Sequence, residues 1–105
     1  MNNIFLEREF NPGLTTADVW NMVSEVGHCF QMHGVKWMGS MLAVGGQRML
    51  CHFQCADSES VRTALRQSRS RMGPVWPGVV HEAPGLPGVD PGYSNVVVTR
   101  RFSEP

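Results

Sequence analysis

Residues 3–10, NIFLEREF, alternate: Ile4, Leu6 and Phe10 fall on one side of an extended chain, and Phe5, Glu7 and Glu9 on the other. A period of two marks a half-buried strand, and the Asn11-Pro12-Gly13 that follows closes it with a turn. From Thr15 the period lengthens. Thr15 with Asp18 has the spacing of a capping box, and Val19, Met22, Val23, Val26 and Phe30 recur at helical intervals until Gly34 stops the run. Two strand-like segments come next, VKWMGSMLAV (35–44) and QRMLCHFQC (47–55), and the Gly45-Gly46 pair between them predicts a two-residue hairpin. Asp57 or Ser58 caps a second helix whose Val61, Ala64, Leu65, Ser68 and Met72 make one face, while Arg62, Arg66 and Arg69 line another.

The pattern breaks after Met72. Residues 73–94, GPVWPGVVHEAPGLPGVDPGYS, hold five of the seven prolines and read as a Pro/Gly-rich insertion, and the β-branched run NVVVTRRF (95–102) predicts the last strand. The order is β-α-β-β-α-β, an α+β ferredoxin-like sandwich of a four-stranded antiparallel sheet with two helices on one face. The other face is bare unless something covers it. A second copy of the same sheet is the simplest cover, so the expected assembly is a homodimer of the dimeric α+β barrel type.

Length and charge narrow the partners. At 105 residues the chain is expected to be one domain, residues 1–105, with the insertion at 73–94 placed before the last strand. Nine basic residues balance nine acidic ones, so no net field draws nucleic acid or an anionic membrane, and neither is expected as a partner. No apolar run is long enough to span a bilayer and the start, MNNIFLEREF, lacks a signal-peptide pattern, so the expected location is cytoplasmic. Cys29, Cys51 and Cys55 have no finger spacing, which predicts reduced packing thiols rather than disulfides or structural zinc.

Several short segments together resemble a known family. FLERE at the start, Cys29 near the end of the first helix, VKWMGSML, MLCHF, ADSESVR and VVVTRRF are similar to segments of the small ferredoxin-like domains that include a nickel-responsive bacterial protein, a group catalogued as a domain of unknown function. The resemblance covers most of residues 3–72 and 95–102. It implies a small homodimer that binds a divalent metal such as nickel. Family members often carry His two residues after the strand's tryptophan and Tyr two residues later; here Gly39 and Met41 hold those places.

The candidate chemistry centres on His52. If Met49, Cys51 and Phe53 face the helices, His52 joins Leu50 and Gln54 on the open face, and Glu7 lies on the same face of the first strand. In the ferredoxin-like order these strands are adjacent, so Glu7 and His52 are expected as cross-strand neighbours. That pair could be an ion pair at a subunit interface, an acid–base couple, or two ligands for a divalent metal. A loop from the insertion would bring Trp76, His81 and Glu82 over it, with Trp37 as a further ligand-binding candidate. His81 is thus a third catalytic candidate beside Glu7 and His52. Two functions remain open. One is a small dimeric binding protein holding a metal ion or small molecule at the open sheet face. The other is a cofactor-independent isomerase, cyclase or monooxygenase using a His/Glu proton-transfer site beneath the 73–94 loop.

Overall fold

Alternation in the two central strands sorts the core from the open face. The structure, a computed structural model, describes residues 1–81 and 97–102. Strands β1 (Asn2–Glu9) and β3 (Arg48–Cys55) pair antiparallel along their whole length, Asn2 opposite Cys55 and Glu9 opposite Arg48. Ile4, Leu6, Met49, Cys51, Phe53 and Cys55 are buried on one side, whereas Phe5, Glu7, Leu50, His52 and Gln54 are only half-buried on the other.

The buried side is closed by two helices, α1 (Thr16–Met32) through Val26 and Phe30 and α2 (Ser58–Gln67) through Val61, Ala64 and Leu65. Phe30 meets Phe53 edge-on with ring centroids 5.2 Å apart, a preferred aromatic geometry. Both helix starts follow from their sequences. The Thr15 hydroxyl accepts the Asp18 N–H at 3.1 Å while the Asp18 carboxylate accepts the Thr15 N–H at 2.8 Å, and Asp57 accepts the Ser60 N–H at 2.8 Å. Helix α1 ends in a Schellman motif: Gly34 takes a φ of +67°, its N–H reaches the Gln31 carbonyl, and the Val35 N–H reaches that of Phe30 at 2.9 Å. Val35 and Phe30 are both buried in the same core cluster.

The remaining strands are β2 (Lys36–Leu42) and β4 (Val75–Gly78), and the sheet order is β2-β3-β1-β4 with every neighbouring pair antiparallel. The β-α-β-β-α-β order and the helices on one face make the fold ferredoxin-like, α+β. No described helix is long and apolar enough to cross a membrane.

Two expectations are corrected. The fourth strand is Val75–Gly78, inside the stretch read as an insertion, and residues 97–102 form no strand. Chain geometry explains the choice. The segment soon after α2 closes a shorter loop to the free edge of β1 than one some twenty residues later, at a smaller entropic cost. Pro77 is compatible with the assignment because β4 is an edge strand, where a residue without an N–H need not break a ladder. Of residues 73–94 only 73–81 lie within the described part. The β2–β3 hairpin forms where expected, but its loop is Ala43–Gln47 rather than two residues. Gly46, at φ +75°, packs so closely on Leu14 that a Cβ there would lie 1.9 Å from the Leu14 carbonyl oxygen, and its own carbonyl accepts the Leu14 N–H at 2.8 Å.

Candidate functional site on the open sheet face

Three strands contribute one aromatic ring each to a row across the open face. Phe5 of β1 is the cross-strand partner of both His52 on β3 and Trp76 on β4. Its ring is stacked on His52 at 4.9 Å with planes 12° apart, and on Trp76 at 6.0 Å with planes 27° apart. Adjacent strands lie close to 4.8 Å apart, so flat side chains at paired positions stand side by side like pages. Gly78 makes room for this: a Cβ there would lie 2.7 Å from Phe5 Cε2.

His52 is held at its other end too. Its Nε2 lies 2.8 Å from Asn3 Oδ1, which also accepts from Gln54 Nε2 at 3.4 Å. An amide oxygen can only accept, so the His52 Nε2 carries the proton in this bond, and in the neutral ring Nδ1 keeps the lone pair. The histidine met in the sequence as an isolated polar residue is a positioned imidazole, stacked on one face and anchored at one nitrogen. On its other side stands Gly39 of β2, its partner across the β2–β3 ladder, and a Cβ added to Gly39 would meet nothing within 4 Å. The row therefore opens onto a gap at the outer side of His52.

The expected Glu7–His52 pairing is not formed. Glu7 is opposite Leu50, and His52 is opposite Phe5. The two residues share a face but are offset by one pair on that face. Period-two patterning fixes which face a side chain takes, whereas the register between two strands that no turn joins depends on the whole packing arrangement. Glu7 instead borders a cavity of about 660 Å³ with Met41 and Leu50 on the sheet and Val97, Thr99 and Arg101 from the later segment.

The other candidates are dispersed. Trp76 does reach the Phe5–His52 row, but as a member of the sheet itself and not from a loop above it. His81 is exposed three residues beyond the end of β4, and Glu82 lies outside the described residues. Trp37 is on the helix-facing side, where its ring meets Trp20 edge-on at 5.7 Å and its Nε1–H donates to the Ser40 hydroxyl at 2.9 Å. The sheet therefore separates Trp37 from His52. Among the described residues no three of His, Cys, Asp and Glu gather as metal ligands. His52 is surrounded by an amide, a phenyl ring and a glycine, a poor donor set for a divalent ion.

The arginine stripe of α2 has intramolecular uses. Arg62 and Arg66 both pair with Glu59, holding its carboxyl below the usual range chiefly through the Arg66 hydrogen bond, and Arg62 also donates to the Val75 carbonyl at 3.1 Å, tying α2 to β4. The cysteines behave as packing groups. Burial pushes the Cys55 thiol up, and its S–H is directed at the Asp57 carbonyl at 3.2 Å, which opposes a nucleophilic role.

No family model matches the chain, and no curated protein matches it in sequence. Among solved structures, the crystal structure of SCO4226 from Streptomyces coelicolor A3(2) is similar, with a TM-score of 0.62, 11% identity, and coverage of 78% of this chain and 95% of that one. At that identity the likeness speaks for the shared fold.

Sequence reasoning missed three contributors to the site: Asn3, Phe5 as a stacking partner, and the gap at Gly39. Phe5 was legible as an open-face residue, since it alternates with Ile4 and Leu6. Its contact with His52 required the register.

Proposed function

We propose that this protein is a small homodimeric binding module that holds a planar small molecule on its open sheet face, inserted beside His52 over Gly39. The observation that carries the reading is the Trp76–Phe5–His52 row, which ends in open space on the outer side of the imidazole. A flat ring placed there would continue the stack, gaining the dispersion and quadrupole terms of an offset aromatic pair. The half-buried apolar side chains of the same face, Phe5 and Leu50, with Met41 58% exposed, favour a second copy of the sheet as its cover. Such a dimer would enclose the ligand between two sheets, as in barrel-like assemblies.

A divalent ion such as nickel is the alternative occupant, and it is the less supported one because the described donors around His52 do not assemble a coordination set. A cofactor-independent proton-transfer enzyme is a second reading, favoured by one observation: the Asn3 bond fixes His52 with Nδ1 as the basic nitrogen.

Native mass spectrometry of untagged protein purified without chelator distinguishes these. A dimer with an organic adduct that is lost in Phe5→Ala supports the module. One divalent ion per subunit, lost in His52→Ala, would replace the organic ligand by a metal, and a monomer would remove the enclosed interior.

A further inference from the structure

Arg8 occupies a position on the core side of β1, between Leu6 and Phe10 in the alternation, and only 6% of it is exposed. A buried guanidinium is costly unless its five N–H groups are satisfied and its charge is balanced. Neither condition is met among the described residues. The Arg8 Nε has no hydrogen-bond partner, and its Nη2 has only the weak acceptor Cys51 Sγ at 3.7 Å. No described carboxylate lies within ion-pair distance, both described ion pairs being those of Glu59. The Arg8 and Arg71 guanidiniums both lie over the Phe10 ring, 5.6 and 5.7 Å from its centroid.

This unbalanced cation borders a cavity of about 280 Å³ between α1 and the sheet. Its walls are mostly apolar, built by Val19, Met22, Val26 and Phe30 of α1 and by Met49 and Phe53 of β3. Its polar lining is the Ser40 hydroxyl, which donates to Cys51 Sγ at 3.0 Å, with Gln31 and the exposed Lys36 on its border. A greasy chamber with one buried positive group has the chemistry of a site for an amphiphilic anion. We infer that the α1–sheet cavity binds a small carboxylate with an apolar body, such as a medium-chain fatty acid, whose carboxylate pairs with Arg8. The planar guanidinium presents Nε–H and Nη–H in the fork that matches two carboxylate oxygens, so the ligand would satisfy the orphaned Nε and balance the charge together. The apolar tail would replace empty space against α1. This cavity lies across the sheet from the His52 row and is independent of it.

The test is isothermal titration with sodium octanoate and with octanamide, its neutral counterpart, on the wild-type chain and on Arg8→Met and Arg8→Lys. The expected result is octanoate binding at least tenfold tighter than octanamide. That preference should vanish in Arg8→Met and fall severalfold in Arg8→Lys, which keeps the charge but loses the fork. Nuclear magnetic resonance supplies a readout that needs no variant: octanoate, and not octanamide, should shift the Arg8 Nε–H signal. Phe5→Ala should leave octanoate affinity unchanged. Equal affinity for the two probes, an unmoved Arg8 signal, or octanoate binding that survives Arg8→Met would overturn the assignment.

Discussion

Phe5 and His52 face each other across β1 and β3 with ring centroids 4.9 Å apart and planes 12° apart, and Asn3 fixes the imidazole from the side at 2.8 Å. The pair joins the two central strands on the face opposite the core. Phe5→Leu keeps an apolar side chain of similar bulk but removes both ring contacts. We expect a loss of about 1–2 kcal/mol, the range of an aromatic pair with a modest packing defect. Urea unfolding checks it, through a lowered midpoint with an unchanged slope.

Gly39 is the residue whose replacement should change the chemistry of the face. It is opposite His52, its φ lies outside the left-handed region and an added Cβ meets open space, so a larger side chain is tolerated, and a histidine there would bring a second imidazole beside the first. Two imidazoles give a divalent ion the start of a ligand set that one does not. Gly39→His is expected to bind Ni²⁺ or Zn²⁺ at least tenfold more tightly than the wild type by isothermal titration. The gain should disappear in Gly39→His with His52→Ala. A gain that survives removal of His52 would show that the two positions do not act together.

The elements carried by local signals were legible. The Thr15–Asp18 box, the Gly34 stop, the Asp57 cap and the alternation of Ile4 and Leu6 with Phe5 and Glu7 all appear where the residues place them. Signals of longer range were not. The partner of His52 depended on register, which no turn between β1 and β3 sets, and the choice of Val75–Gly78 over Val97–Phe102 as the edge strand depended on which segment reaches β1 first. Residue type misled in a third way. Arg8 drew no attention as an arginine among apolar residues, yet position 8 lies on the core face by the same period that places Ile4 and Leu6.

Helix α2 ends with the same hydrogen-bond pattern as α1 but without its glycine. The Arg69 N–H reaches the Arg66 carbonyl at 3.2 Å and the Ser70 N–H reaches that of Leu65 at 2.9 Å, while Arg69 takes a φ of +55°. A side chain in that left-handed region costs about 1 kcal/mol or more relative to glycine. Arg69→Gly is therefore expected to stabilise the protein by about 1 kcal/mol, even though glycine lowers the order of the unfolded chain. Chemical denaturation measures it, and an unchanged or lowered midpoint would mean that the Arg69 side chain contributes more than its strain costs.

The two helix caps give stability a dependence on acid. Backbone N–H donation from Thr15 to Asp18 and from Ser60 to Asp57 holds both carboxyls below their ordinary value of 3.8. A carboxyl depressed in the folded state binds its proton more readily when unfolded, so its contribution is complete above the unfolded value and is lost as pH falls through the folded one. Thermal melts should therefore show Asp57→Ala well below the wild type at neutral pH, with the gap narrowing as the solution is taken below about pH 4. Asp18→Ala should behave the same way, because its carboxylate is the other half of the capping box on α1. In Asp57→Asn the side-chain oxygen still caps the helix but does not titrate, so its melting temperature should fall less steeply than that of the wild type over the same acid range. If the gap between wild type and Asp57→Ala is constant from neutral pH into acid, the carboxylate charge contributes nothing to the cap, and the N–H bonds alone hold the start of α2.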